Sequence, residues 1–542
     1  MSAIAPPASG VEVRMYRAGH GDFFLLTFRR SKENDTPFFM LIDCGMKSGS
    51  HVKKGRHIYD VIGDLHAHTG GVLDVVVVTH EHQDHVSGFP KSGDKKHPFY
   101  KLGFTIKELW LGWTEDETDP FANHLRELYG DQVLTLALAH HRMSQVHGAD
   151  DALAEEIGEF LELETGHASG VDLLKEVRDE LDEAGALPPA IGTDTDGFGA
   201  VFAAKSKIKG ARYKRRLQGL RHMAQEIKFF SPGDGPLPLP GVDDVRLYPF
   251  GPPRDEALLK SLNPRTDEGF HIGPFQMGSP GAELFGALTS PYGLQETGSP
   301  FAPRYAIPEA RILDRRPRKG SDPEGYFLSR AYRAKKEELR RIDGDWLGDA
   351  EALALRINNE VNNTSLVLAF ELMQSEQVLL FTGDAQRGSW VSWSDLSWSV
   401  DGRRVTARDL LGRCTFYKAG HHGSHNATLD GAFEDAHPNL NWMARGKFAD
   451  HFVAMIPTNK AWAFGKKRPW RHPMKAIEDA LFEKAKSRVM MIKTDTSQKT
   501  APQQQWWKAH RTDAFAKMRA EFESRTEYAE TYVSHVVPDE PL

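Results

Sequence analysis

The chain opens with an alternation of apolar and polar residues that predicts β-strands. The alternation covers residues 11–28, breaks in the polar stretch 29–36, and resumes in the apolar run 37–45. Successive side chains of a strand point to opposite faces, so two such runs separated by one turn predict a hairpin. The second run ends on Asp43.

Continuous apolar runs predict further strands that are buried on both faces. The clearest contains four consecutive valines at 75–78. A run this apolar, and too short for a helix, is typical of a strand in the middle of a covered sheet. Similar strand-like patterns occur in the segments 106–112, 245–250, 361–372, 377–386 and 416–419.

The segments between these runs have a different character. From about 115 to 228, apolar residues such as Leu153, Ile157 and Leu161 recur at helical spacing among charged ones, which predicts a helical insertion. Pro, Gly and Arg crowd 254–345, which indicates a long loop or a lid. We therefore predict one interrupted domain, with the divisions 1–114, 115–228 (helical insertion), 229–253 (a returning strand), 254–345 (insertion or lid), 346–500 and 501–542 (a helix and a disordered tail).

The composition is that of an ordinary globular protein. The 542 residues are 40% hydrophobic and 26% charged, with a net charge of -7 that argues against a surface coated with basic residues. The two cysteines, Cys44 and Cys414, cannot form a disulfide framework and suggest a reducing compartment. Neither a secretory leader nor a membrane span is visible, so the sequence predicts a cytoplasmic protein.

The valine run leads straight into a cluster of metal-ligand residue types. His80, His82, Asp84 and His85 follow in the pattern H-x-H-x-D-H. On an extended loop, residues two apart point the same way, so His80 and His82 can bind one ion while Asp84 and His85 turn toward a second. A solvated His-rich loop is the alternative. We expect a site for two divalent ions, Zn²⁺ or Mn²⁺.

Two later apolar runs also end on histidine or aspartate, the residue types that bind metals. Asp384 stands in TGDA after one run, and FYKAGHHGSH places His421 and His422 after the next. Each has an ordinary alternative as a turn residue. His472 follows in RHP, where it could cap a helix or lie at the rim of a site.

These motifs together resemble the metallo-β-lactamase superfamily. THEHQDH matches its metal-binding motif, while AGHGD and KAGHHGS resemble the branch found in ComEC-type DNA-uptake proteins, including its stand-alone soluble bacterial members. The resemblance covers roughly 11–114, 229–253 and 346–497 and implies an α/β fold of the α+β class, an αββα sandwich with large, mostly helical insertions.

The resemblance also implies roles for individual residues. Metal one would be bound by His80 and His82, and metal two by Asp84 and His85, with Asp384 bridging both. Asp43 would support the cluster by orienting a ligand. We favour His422 as the last ligand of metal two and His421 as a contact for substrate or the bridging hydroxide, but the reverse order is open. The expected catalytic residues are Asp84, Asp384, His421 and His472.

One position departs from the superfamily pattern. Most members carry a third histidine for metal one about twenty residues before the bridging aspartate, and this chain has Asn362 and Asn363 there. An amide is a poorer ligand for Zn²⁺ than imidazole, which favours a harder ion such as Mn²⁺ at this site. The ComEC-type branch carries asparagines here too, so we treat Asn362 and Asn363 as supporting residues or ligands.

Two basic segments could contact a phosphate backbone. The first lies within 205–221 and includes Lys214, Arg215 and Arg216, and the second consists of Lys466, Lys467 and Arg468 beside Trp470. Such segments can bind a polyanion. Solvated helix faces are the alternative for both.

Three functions fit these observations. The first is a metal-dependent phosphodiesterase, in particular a nuclease acting on DNA or RNA through a metal-bridged hydroxide. The second is a small-molecule hydrolase of the lactonase or thioesterase type. The third is a non-catalytic subunit of a bacterial defence or repair system that retains the metals. A basic channel leading to the metals would favour the first function, and a closed apolar pocket the second.

Overall fold

A computed structural model describes most of the chain. It covers residues 5–147, 152–183, 201, 215–265, 267–269, 350, 353–354, 357, 360–466, 470–492, 501–510 and 512–542. Most of the predicted lid at 254–345 therefore lies outside the described residues.

The strands and helices are numbered here in chain order. The strands are β1 Val11–Tyr16, β2 Phe23–Arg29, β3 Pro37–Cys44, β4 Val72–Val77, β5 Thr105–Gly112, β6 Ala224–Phe230, β7 Leu237–Pro238, β8 Val245–Gly251, β9 Val367–Leu372, β10 Val378–Phe381, β11 Ser397–Val400, β12 Arg403–Thr406, β13 Cys414–Lys418, β14 Val453–Ile456, β15 Val489–Met491, β16 Thr526–Tyr528 and β17 Tyr532–Val537. The helices are α1 Ile58–Thr69, α2 Gln83–Val86, α3 Pro98–Lys101, α4 Pro120–His147, α5 Ala152–Thr165, α6 Gly170–Glu183, α7 Arg215–Met223, α8 Glu256–Leu259, α9 Arg387–Ser392, α10 Ala407–Gly412, α11 Lys460–Gly465, α12 Lys475–Lys484, α13 Ala501–Ala509 and α14 Asp513–Ser524.

Two large mixed sheets form the centre of the fold. The first has eight strands in the order β16-β17-β1-β2-β3-β4-β5-β6, and the second has seven in the order β15-β14-β13-β10-β9-β8-β7. Their inner faces pack on each other, with Met40 and Val75 of the first sheet in one buried cluster with Phe370 and Phe416 of the second. The mixed α+β class predicted from the sequence is confirmed.

Helices cover the outer faces of both sheets. Helices α1 and α7 bury Ile62 and Leu220 against the first sheet, while α10 and α12 bury Leu410 and Leu481 against the second. Layers of helix, sheet, sheet and helix result, because each sheet has two apolar faces and only one of them can meet the other sheet. Helices α4, α5 and α6 follow β5 and precede β6 along the chain, and they have an apolar core of their own.

The C-terminal segment does not end as a disordered tail, so that expectation was wrong. Strand β17 pairs antiparallel with β1, with Tyr532 opposite Tyr16 and Val537 opposite Val11. The apolar residues of YVSHVV are buried in the sheet. Without β17, strand β1 would be an exposed edge of the sheet. Pairing with β17 therefore covers the unpaired backbone groups of β1.

The topology brings the ends of distant strands together. Strands β3, β4, β5 and β6 run parallel to one another, as do β10, β13, β14 and β15. In parallel sheets the carboxyl ends of the strands meet at one edge, and functional groups collect there. The loops after β3, β4, β10 and β13 carry the residues described next.

Candidate metal centre

The loop after β4 is held tightly against the end of β3. The backbone N–H of Asp22 donates to the carbonyl of Asp84 at 3.0 Å. A Cβ at Gly45 would lie 2.3 Å from the carbonyl carbon of Asp84, so only glycine permits this approach. Asp84 and His85 are consequently fixed at the start of the short helix α2, and both side chains are buried.

Asp43 orients the first half of the site. Its carboxylate accepts hydrogen bonds from the backbone N–H of Thr79 at 2.8 Å and from the Thr79 hydroxyl at 2.6 Å. One of its oxygens also lies 2.7 Å from Nδ1 of His85. The carboxylate therefore fixes the proton of His85 on Nδ1 and leaves Nε2 as a ligand atom. This geometry suits the supporting role expected for Asp43, which stays a prediction.

Asp384 projects from the turn after β10 into the same space. Its backbone N–H donates to the hydroxyl of Ser365 at 3.0 Å. One carboxylate oxygen lies 3.2 Å from Nε2 of His85 and 3.6 Å from Nε2 of His422. Asp384 thus stands between ligand atoms from both sheets, and the bridging role expected for it stays a prediction.

His421 and His422 follow β13 in an unusual conformation. Both residues have a positive φ, 43° and 53°, which is costly for a residue with a side chain and needs firm support from its surroundings. Nδ1 of His422 lies 3.1 Å from the carbonyl of Pro457, and Nε2 lies 3.1 Å from the Asp84 carboxylate. His421 is less enclosed, and its Nε2 lies 4.0 Å from Asp384. Of the two, His422 has the surroundings of a ligand.

Four side chains form the most compact group of potential ligands. The ligand atoms of Asp22, His85, Asp384 and His422 all lie within 4.8 Å of one another, and all four residues are buried. This group can hold a metal ion. The Asp84 carboxylate reaches it through His422.

Sequence reasoning missed Asp22, although it stands in the AGHGD motif. Its carboxylate pairs with the buried ammonium of Lys418, which also donates to the carbonyl of Gly383 at 2.7 Å and lies 3.5 Å from Asp384. The signal was an acidic residue in a turn of small residues just before an apolar strand. That turn becomes informative only when the sheets bring it beside β13.

His80 and His82 form a second group beside the first. Nε2 of His80 lies 3.0 Å from Nδ1 of His82. The other nitrogen of His82, Nε2, lies 3.0 Å from the carboxylate of Glu164 on α5. Glu164 was also missed, because a helix periodicity gives no sign of which acidic residue turns inward.

The two asparagines have different surroundings. The side chain of Asn363 is hydrogen-bonded within the protein. Its Nδ2 donates to the carbonyls of Leu259 and Ser261, and its Oδ1 accepts from the N–H of Gln386. Nδ2 of Asn362 lies 3.5 Å from His421, and its Oδ1 has no hydrogen bond within the described part of the chain. Asn362 is therefore the asparagine that faces the site.

The charges in the centre favour an added cation. Burial would raise the pKa of Asp84, but the hydrogen bond from His422 and the charge of His85 hold that pKa well below its usual range. Burial would lower the pKa of His85, yet Asp384, Asp22 and Asp43 raise it well above its usual range. Carboxylates this close need positive charge nearby, which protonated imidazole or a divalent ion can supply.

An unsatisfied polar atom supports the same conclusion. Oδ1 of Asp84 is buried and makes no hydrogen bond to any residue that the structure describes. A buried polar atom without a partner is costly, and a bound metal ion is one of the groups that can satisfy it. The donor set of imidazole and carboxylate suits Zn²⁺ or Mn²⁺.

His472 lies at the rim of the centre, as expected from its sequence position. Its ring is 5.5 Å from that of His421 and stacks on His20 at 5.7 Å. Burial, followed by the nearby imidazoles of His421 and His422, lowers the pKa of His472 well below its usual value. His20 is fully buried beside His422.

The basic residues are divided between internal contacts and undescribed positions. Lys214, Lys467 and Arg468 lie outside the described residues, and the side chain of Arg215 is not described. Arg216 turns inward, donating to Gln83 at 3.3 Å and to the carbonyl of Phe89. Lys466 pairs with Glu159 at 2.6 Å and lies over Trp470. Arg216 and Lys466 are thus engaged within the protein.

Comparisons with known proteins add no family to this description. No protein-family model matches the chain, and no curated protein does. Among the helices that the structure describes, none has both the length and the apolar composition needed to cross a bilayer.

Proposed function

We propose that this chain is a dinuclear metal-dependent hydrolase of the metallo-β-lactamase type that cleaves phosphodiesters, with DNA or RNA strands as its substrate class. The observation that carries the proposal is the buried convergence of Asp22, His85, Asp384 and His422 from both sheets. Asp84 adjoins this group, and His80 and His82 lie beside it. Imidazoles and carboxylates in this number at the strand ends are the donor set of a hydrolytic metal centre.

Each residue has a task that its position supports. His85 and His422 present Nε2 toward Asp384, because Asp43 and the carbonyl of Pro457 hold their Nδ1 atoms. Lys418 holds Asp22 and Asp384 in place through its ammonium group. Two divalent ions, when bound, would activate water and stabilise the charge that develops on the phosphate.

His421 is suited to contact the substrate. Burial is the main cause that lowers its pKa to about 4, so its imidazole is neutral at pH 7 and can accept a proton. Its side chain is 13% exposed, compared with 1% for His422. His472, at the rim beside it, is a second neutral imidazole that could contact the leaving group.

The cavities beside the metal loop favour an anionic substrate. One cavity of about 280 Å³ adjoins Gln83 and is lined by Lys47, Lys91 and Arg216, with Glu162 as its acidic residue. Although Lys47 and Arg216 also donate to the carbonyls of Glu159 and Phe89, their positive charges would favour an anion such as phosphate. This cavity supports a phosphodiester over a neutral ester.

A small-molecule hydrolase of the lactonase or thioesterase type is the second candidate. An apolar cavity beside Glu81, lined by Leu125, Tyr129 and Leu259, favours it. That cavity measures only about 80 Å³, whereas small-molecule sites usually occupy roughly 300 Å³ or more. It is too small for such a substrate.

Hydrolysis by the reconstituted chain tests the proposal. The protein would be stripped with a chelator, reloaded with Zn²⁺ or Mn²⁺, and assayed on bis-p-nitrophenyl phosphate, single-stranded DNA, RNA and a panel of lactones and thioesters. We expect metal-dependent cleavage of the phosphodiesters. Cleavage of only the lactones or thioesters would establish the second candidate, and bound metal without any hydrolysis would favour the non-catalytic subunit.

A further inference from the structure

The helical insertion brings a buried carboxylate to the metal loop. Glu164 is the next-to-last residue of α5, and one of its oxygens lies 3.0 Å from Nε2 of His82. The side chains of the two residues are only 1% and 2% exposed. The contact is a close approach of charge and ring rather than a hydrogen bond, and neither atom makes a hydrogen bond to any residue that the structure describes. A carboxylate is expensive to bury, so this placement calls for a function.

A second helix of the insertion holds this carboxylate in place. The hydroxyl of Tyr129, on α4, donates to the other oxygen of Glu164 at 2.8 Å. One oxygen is therefore fixed by Tyr129 while the other faces His82. Two helices of the insertion thus cooperate to aim one group at the loop after β4.

The geometry of the His82 ring assigns the direction of this contact. Nδ1 of His82 faces His80 at 3.0 Å, while Nε2 faces Glu164. The two nitrogens of an imidazole point in divergent directions. An ion bound by Nδ1 of His82 and by His80 would therefore lie on the opposite side of the ring from Glu164, which could not be its ligand. The carboxylate instead faces the far side of the ring, on the side of Nε2.

We propose that Glu164 is a positioning residue for metal one: its negative charge keeps the proton of His82 on Nε2 and so leaves Nδ1 free to bind the ion together with His80. This inference rests on the proposed function and deepens it. A carboxylate behind a histidine ligand fixes its tautomer and raises its basicity. Metal one has particular need of such support, because Asn362 stands where a third imidazole is expected.

On this proposal the helical insertion contributes a side chain that supports a metal ligand. Most of the fold's ligands come from strand ends of the two sheets, and this one support comes from a separate helical core. Loss of the insertion would therefore weaken one ion more than the other. The second ion depends on residues that Asp43 and Pro457 support.

Metal binding by Glu164 variants tests the assignment. Glu164→Ala removes the carboxylate, Glu164→Gln keeps its shape without the charge, and Tyr129→Phe frees the carboxylate. Glu162→Gln, on the same helix and facing the cavity that Lys47 lines, is the matched control. Bound Zn²⁺ would be counted after dialysis against chelators of graded strength, and the absorption spectrum of the Co²⁺ form would report the ligand field.

We expect the parent and Glu162→Gln to hold about two ions per chain. Glu164→Ala should weaken one ion by roughly 10- to 100-fold and alter the Co²⁺ spectrum, with smaller effects in Glu164→Gln and Tyr129→Phe. If Glu164→Ala does not fold, Glu164→Gln decides, because it changes the side chain least. Unchanged affinity and spectrum in a folded Glu164 variant would overturn this inference and leave the proposed function standing. A parent that binds no metal would overturn both.

Discussion

At the scale of single residues, Asp384 is the side chain on which the centre depends most. Like Asp22, it faces His85, His422 and Lys418 together, and its backbone leaves the turn after β10. A neutral amide of the same shape cannot supply the negative charge that the proposed pair of cations would need. We predict that Asp384→Asn lowers kcat on bis-p-nitrophenyl phosphate by more than about 100-fold while the far-ultraviolet circular dichroism stays unchanged. Near-normal turnover would show that the site is assembled some other way.

Asp22 and Lys418 make a second prediction at this scale. The pair is buried, and removing one partner of a buried pair leaves an uncompensated charge. Asp22→Asn should lower the free energy of unfolding by about 3 kcal/mol, measured by urea denaturation in the presence of a chelator so that metal does not contribute. The double variant Asp22→Asn with Lys418→Met should recover much of that loss. A double variant less stable than Asp22→Asn would contradict the pairing.

The residues that the sequence predicted and those it missed differ in one physical respect. His80, His82, Asp84 and His85 stand together in the chain, so their spacing alone indicates a metal site. The places of Asp22 and Glu164 in the site depend on contacts with residues far away in the chain, Lys418 and His82 respectively. No local pattern encodes such a contact.

At the scale of elements, the apolar runs predicted the strands that carry the site. The valine run forms β4, and the segment before TGDA forms β10. The C-terminal strand β17 was missed because its stability comes from backbone pairing with β1, which exists only after the first sheet has formed. A tail that follows charged helices gives little sign of such a partner.

Strand β17 also carries a pH-dependent contribution to stability. Burial, followed by the charges of Arg525 and Arg488, lowers the pKa of His535 to about 3. The unfolded chain takes up the proton near pH 6.5, so the neutral histidine contributes its full stability above that pH. The contribution is lost as the pH falls from 6.5 toward 3, by about 2 kcal/mol at pH 5.

The variant His535→Gln isolates this contribution. Urea unfolding of the parent and the variant would be compared at pH 7 and pH 5. The parent should lose more stability than the variant over this interval, because only the parent must protonate an imidazole when it unfolds. Equal losses in the two proteins would contradict a buried neutral His535.

At the scale of the whole molecule, two sheets, their covering helices and one insertion converge on a single centre. The order of motifs along the chain predicted the α+β class and the sandwich of two sheets. It could not predict how the insertion packs, because α4, α5 and α6 pack on one another and no local pattern shows that α5 brings Glu164 to His82. The expected metallo-β-lactamase relationship and the cytoplasmic location remain predictions.

The metal content of the purified chain tests the central claim most directly. Elemental analysis after reloading with Zn²⁺ or Mn²⁺ should find about two ions per chain in the parent and fewer in Asp384→Asn, because the carboxylate between His85 and His422 is the group that both ions would share. The same stoichiometry in both proteins would remove Asp384 from the centre. No bound transition metal in the parent, even after reloading, would contradict the account as a whole.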